Sequence, residues 1–127
     1  MATKEIILAV DDNPVQLKLF NEMLVPRYDL RVVKAASEAL NFLNSNTVDL
    51  ILLDIEMPNI SGFEFLRDVR KIPSYVTVPI IIVSGNTSRE FLQQARDSGA
   101  EDVLIKPVTS EMLVRTMEKV LEESEKK

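Results

Sequence analysis

The sequence predicts a three-layer α/β fold in which a doubly wound, five-stranded parallel sheet lies between two layers of helices. Three observations predict it. Short apolar runs recur along the chain, at Ile6 to Val10, Leu50 to Leu53 and Val78 to Val83, and they are too uniformly apolar for strands with one wet face. Stretches with helical spacing of apolar residues alternate with these runs, as βα units require. The runs also end on polar residues: Asp11 and Asp12, Asp54, Ser84 and, after a shorter run, Lys106. In open α/β sheets ligands bind beyond the carboxyl ends of the strands, so these residues are candidates for chemistry.

In chain order, Glu5 to Asp12 is the first strand and its two terminal carboxylates. Asn13-Pro14 starts a helix with an Asx cap and a proline in the first turn, carrying Leu17, Phe20, Met23 and Leu24 and stopping at Pro26. Leu30 to Val33 is a short strand. Ser37 opens a second helix with Ala39, Leu40, Phe42 and Leu43 on its apolar side, ending at Asn44-Ser45-Asn46. Leu50 to Leu53 reads as the central strand, closed by Asp54, and Pro58 in the loop after it prevents easy continuation of regular structure. Phe63 to Val69 is the third helix, and Val78 to Ser84 the fourth and most apolar strand. Thr87-Ser-Arg-Glu90 has the form of a capping box before a helix that buries Phe91, Leu92 and Ala95 and stops at Gly99, a left-handed cap residue. Asp102 to Ile105 is the fifth strand. A last helix, about 110 to 122, places Met112, Leu113, Met117, Val120 and Leu121 on one face, with a charged tail expected to fray. Five βα units with right-handed crossovers favour the flavodoxin-like strand order 2-1-3-4-5, whose switch point lies between strands 1 and 3. The chain, 1–127, reads as one domain without repeats, linkers or low-complexity segments.

The composition narrows the chemistry. The chain has no cysteine and no histidine, which excludes disulfides, thiolate or imidazole metal sites, Ser-His-Asp triads and a phosphohistidine of its own. A net charge of −5 argues against direct nucleic-acid binding. No apolar run approaches the roughly 20 residues of a membrane span, and the first residues lack a signal-peptide pattern, so the expected location is cytoplasmic.

Asp11, Asp12 and Asp54 converge on the switch point in this topology. Crowded carboxylates repel unless a cation neutralises them, and a hard oxygen donor set without His or Cys points to Mg²⁺. A metal beside a carboxylate, a lysine and a hydroxyl matches the needs of phosphoryl transfer, with Asp54 as nucleophile and Lys106 and Ser84 meeting the developing charge. Taken singly, Asp11 or Asp12 reads as a helix cap, Asp54 as a solvated loop carboxylate, Ser84 as a turn hydroxyl and Lys106 as a side chain snorkelling to solvent. Their company promotes them.

The acidic pair Asp11-Asp12, Asp54 with Met57-Pro58 and Gly62, Ser84-Gly85 and Lys106-Pro107 occur in an order, and at strand ends, that resemble the CheY-like receiver domain of two-component response regulators over essentially the whole chain. The resemblance implies that Asp54 accepts phosphate from the phosphohistidine of a sensor histidine kinase or phosphotransfer protein. It implies that Asp12 and Asp54 ligate Mg²⁺, with Asp11 acting largely through water and the backbone carbonyl of Glu56 as a further ligand. Ser84 is then the switch hydroxyl and Lys106 the phosphate contact. The chain would be no enzyme beyond catalysing its own phosphorylation and dephosphorylation, its output an unidentified protein contact, with homodimerisation through the last helix a family expectation. Glu56 and Asn86 stand where such domains tune phosphate loss. One position departs from the pattern: three residues before Lys106, where the family commonly has Tyr or Phe, stands Val103.

Two other functions compete. An aspartyl-phosphate phosphatase of the haloacid-dehalogenase type carries a second Asp two residues after its nucleophile and a cap domain; here that position is Glu56 and no cap insert occurs. A phosphate-independent interaction module of the same fold would not need the acidic triad and Lys106. No glycine-rich phosphate loop supports nucleotide hydrolysis.

Overall fold

The computed structural model describes residues 4–55 and 62–125. Among them are the strands β1 (Ile6–Val10), β2 (Asp29–Val33), β3 (Leu50–Asp54), β4 (Ile80–Ser84) and β5 (Asp102–Ile105), and the helices α1 (Pro14–Leu24), α2 (Ala36–Ser45), α3 (Gly62–Arg70), α4 (Arg89–Asp97) and α5 (Ser110–Glu125). A single 3-10 turn, Pro73–Tyr75, precedes β4. All strand pairs are parallel and the order is β2-β1-β3-β4-β5, the flavodoxin-like order that the sequence predicts.

The alternation of side chains along each strand builds two cores. Leu8, Val10, Ile51, Leu53, Ile80 and Ile82 face α2, α3 and α4. Ile7, Ala9, Leu50, Leu52, Ile81 and Val83 face α1 and α5. Every residue of β3 and β4 is buried, which is why these strands carry no polar residue before their last one. Each such Leu or Ile contributes roughly 1.5–3 kcal/mol on burial. The stack therefore fixes the body of the sheet, from whose ends the polar residues extend.

The helix starts follow local chemistry. Asn13 caps α1 by accepting from Val15 N at 2.9 Å, with Pro14 in the first turn. Gly99 has φ 91° after α4, the left-handed conformation expected of it. Four expectations are corrected. Ser37 lies inside α2, which starts after Ala35 without a side-chain cap. The cap of α4 is Ser88, not Thr87: Asn86 Oδ1 takes the Ser88 N–H, so the first helical bond runs from Leu92 N to Ser88 O and the helix begins one residue later. Met112 is 47% exposed; it stands a 100° step off the stripe of Leu113, Met117, Val120 and Leu121 that faces the core. The helix α5 continues through Glu125, so most of the expected frayed tail is helical. Among the described residues no helix is long and apolar enough to cross a membrane.

Candidate functional site

The carboxyl ends of β1, β3, β4 and β5 bring the predicted residues together at one rim. β1 ends at Val10, and Asp11 continues its ladder by donating from its N–H to Val33 O at 3.2 Å. The Asp11 side chain then turns inward. Its Oδ1 accepts from Asn13 N at 2.9 Å, an Asx turn. Its Oδ2 lies 3.3 Å from Lys106 Nζ, with the carboxyl only 1% exposed. Asp12, next in the chain, is exposed.

Asp54 ends β3 and is 5% exposed. Its Oδ2 is 3.7 Å from the same Lys106 ammonium. One ligand oxygen from each of Asp11, Asp12 and Asp54 lies within 4.8 Å of the other two. At about 5 Å and an effective dielectric near 20, two ionised carboxylates repel by roughly 3 kcal/mol. The single ammonium of Lys106 offsets part of that repulsion. The donor set is all hard oxygen with room between the carboxylates for a cation, and it fits Mg²⁺. The Glu56 carbonyl, the fourth expected metal contact, and Met57-Pro58 lie outside the described residues.

Ser84 closes β4, one residue beyond Val83, the register partner of Asp54. It is fully buried. Its carbonyl accepts from Lys106 N at 2.8 Å, so Ser84 and Lys106 stand on adjacent, bonded strand ends. Its Oγ accepts from Asn86 N at 3.1 Å. Asn86 Oδ1 accepts from Ser88 N, and Ser88 Oγ from Phe91 N. The loop from β4 into α4 is thus a ladder of three side chains, each holding a backbone N–H two or three residues on. The Ser-x-Asn-x-Ser spacing could have revealed it, since short polar side chains bond backbone locally. The Asp11-x-Asn13 turn was legible in the same way and was likewise missed. The Lys106–Pro107 peptide is cis.

Val103 pairs with Ile82 on β5 and is half-buried. A cleft of about 350 Å³ lies between α4 and β5, lined in part by Leu92, Arg96, Ala100, Val103 and Ile105. The small side chain leaves this cleft open at the position where the resemblance would place an aromatic ring.

The site residues and their order are those of one family, and the comparison with known proteins agrees. The response regulator receiver domain family matches residues 7–118. This chain belongs to that family. Among similar proteins, the CAI-1 autoinducer sensor kinase/phosphatase CqsS of Vibrio cholerae is 37% identical over 85% of this chain but only 16% of its own length. Sensor histidine kinase RcsC of Salmonella typhimurium is 33% identical over 88% of the chain and 12% of its own length. The chain therefore spans under a fifth of these kinases. The two-component response regulator ORR8 of rice is 35% identical, covering 80% of this chain and 86% of that protein.

Solved receiver domains superpose closely. The CheY-like receiver domain protein of Methanospirillum hungatei shares 28% identity with a TM-score of 0.89, covering 98% of both chains. Chemotaxis response regulator CheY4 of Vibrio cholerae shares 32% with a TM-score of 0.86, covering 93% of this chain and 99% of that one. The receiver domain of sensor histidine kinase PA1611 from Pseudomonas aeruginosa, solved with magnesium coordinated in its active-site cleft, shares 26% with a TM-score of 0.87, covering 94% and 99%.

Proposed function

We propose that this receiver domain accepts a phosphoryl group on Asp54 from a phosphohistidine of a sensor kinase or phosphotransfer protein, and that the modification switches a protein-binding surface. The observation that carries the reading is the convergence of Asp11, Asp12 and Asp54 within 4.8 Å, with the Lys106 ammonium against Asp11 and Asp54.

An Asp54 oxygen attacks phosphorus, the O–P bond forms, and the N–P bond of the donor breaks with its electron pair passing to the imidazole. Lys106, held by Asp11, offers its ammonium to the transferred oxygens, and the Ser84 hydroxyl can donate to them. Asp12 and Asp54, with Asp11 through water and the Glu56 carbonyl, would hold Mg²⁺, which when bound neutralises charge on the phosphoryl oxygens. The burial of Asp54 limits access of water, so hydrolysis returning the free carboxylate is slower than transfer. The chain modifies only its own Asp54, with the phosphohistidine as donor. The output is a shift between two surface states.

The test is intact-protein mass after incubation with acetyl phosphate, with and without Mg²⁺, for wild type and Asp54→Asn. A single phosphoryl adduct requiring both Mg²⁺ and Asp54 is expected. No adduct under any condition would leave a phosphate-independent interaction module of the same fold.

A further inference from the structure

We propose that Gly62 is a positioning residue for Asp54, holding the end of β3 where its carboxylate meets Asp11, Asp12 and Lys106. The inference rests on the reading of Asp54 as phosphoacceptor. Gly62 is the first residue of α3 and is buried. A Cβ placed on it would stand 2.7 Å from Ile55 Cα, 2.7 Å from Ile55 Cδ1 and 3.3 Å from the Asp54 carbonyl oxygen. Its φ is outside the left-handed region, so what is required at this position is space rather than backbone freedom. Ile55 Cδ1 can swing aside by a rotamer change. Ile55 Cα is backbone and cannot.

Relief must come from movement of the helix or of the strand end, and packing decides which. α3 is anchored by Phe63, Phe65, Leu66 and Val69, none more than 6% exposed, and Phe63 also lies against Phe91 of α4 with ring centroids 5.9 Å apart. Asp54 is the last residue of β3, and Ile55 lies beyond the ladder and is only half-buried. The strand end is the softer side. A side chain at position 62 therefore displaces Asp54 and Ile55, and with them the carboxylate geometry. A shift approaching 1 Å at a reacting group costs on the order of 100-fold in rate.

The experiment compares wild type, Gly62→Ala, Gly62→Ala with Ile55→Val, and Val69→Ala, the last destabilising α3 away from the site. Read-outs are the rate of adduct formation from acetyl phosphate, the Mg²⁺ affinity by calorimetry, and the melting temperature. Gly62→Ala should lose at least ~10-fold in rate and bind Mg²⁺ more weakly. Val69→Ala should melt lower yet react at the wild-type rate. Adding Ile55→Val removes Cδ1 but leaves Cα, so it should not restore the loss. Wild-type rate and Mg²⁺ affinity in Gly62→Ala, recovery in the double variant, or a Gly62→Ala chain that does not fold would each overturn the proposal, the last by placing the contact in the fold rather than the site. If wild type itself takes no phosphate, the phosphoacceptor reading fails alone, and the Mg²⁺ affinities still decide what Gly62 does.

Discussion

The two rims of the sheet carry similar residue types and handle them differently. At the amino-terminal rim, carboxylates meet backbone donors: Asp49 Oδ2 accepts from Ile6 N at 2.7 Å and Glu101 Oε1 from Ile80 N at 2.8 Å. Arg70 joins this rim by donating to the carbonyls of Val78, Tyr75 and Gly99 and reaching Glu101. The Tyr75 hydroxyl donates to Asn46 O. At the carboxyl-terminal rim, three carboxylates approach one another, and two of them, Asp11 and Asp54, share the Lys106 ammonium. The first arrangement fastens loops to the sheet, and the second keeps like charges close. Polar groups answered by the backbone are structure, whereas charge gathered against its own repulsion marks where a ligand is awaited.

The contrast is sharpest for Asp54→Asn. It should abolish the phosphoryl adduct in mass spectrometry, and in Mg²⁺-free buffer it should not lower the melting temperature, because it relieves repulsion. Next, Arg70→Ala should cost about 2 kcal/mol in urea unfolding, since it leaves partly buried carbonyls without their donor, while the rate of adduct formation stays at the wild-type value. A loss of phosphorylation in that variant would break the division between the rims. Third, Mg²⁺ at about ten times its dissociation constant should stabilise wild type by about 1.4 kcal/mol in thermal unfolding. The gain should vanish in Asp54→Asn.

The smallest effect is in alkali. Tyr28 and Tyr75, the chain's two tyrosines, are buried at the amino-terminal rim, and burial raises the pKa of both phenols above the usual 10.0. A raised folded pKa gives stability that is complete below the unfolded value and is lost as pH rises through the folded one. Phenolate absorbance should therefore appear at higher pH in the folded chain than in the chain unfolded in urea. With no tryptophan in the chain, the ultraviolet titration reads this directly.

The sheet order and the meeting of Asp11, Asp12, Asp54, Ser84 and Lys106 at one rim were legible because both rest on long-range patterns that local detail does not disturb. Leu50 to Leu53 can only be a strand buried on both faces, and the polar residues that end such strands must meet at one edge. Local competition hid the rest. Thr87 and Ser88 offer equivalent hydroxyls, and only the Asn86 turn chooses between them. Met112 is apolar beside an apolar stripe, and one residue of phase removes it from the core. The Arg70 network could not be read at all, because its partners are mostly backbone carbonyls from separate loops and carry no side-chain signature. Gly62 read as loop geometry, since space denied to a side chain depends on Ile55, seven residues earlier and just past the strand end.

The ladder of Ser84, Asn86 and Ser88 supplies its own reporter. A Ser84 side chain that changes its χ1 rotamer carries Oγ away from the Asn86 N–H, and an amide released at an exposed loop residue exchanges its proton with solvent. The exchange rate of that single amide then records the position of the buried hydroxyl, so one resonance in a deuterium-exchange spectrum distinguishes the two states without a bound partner or a label.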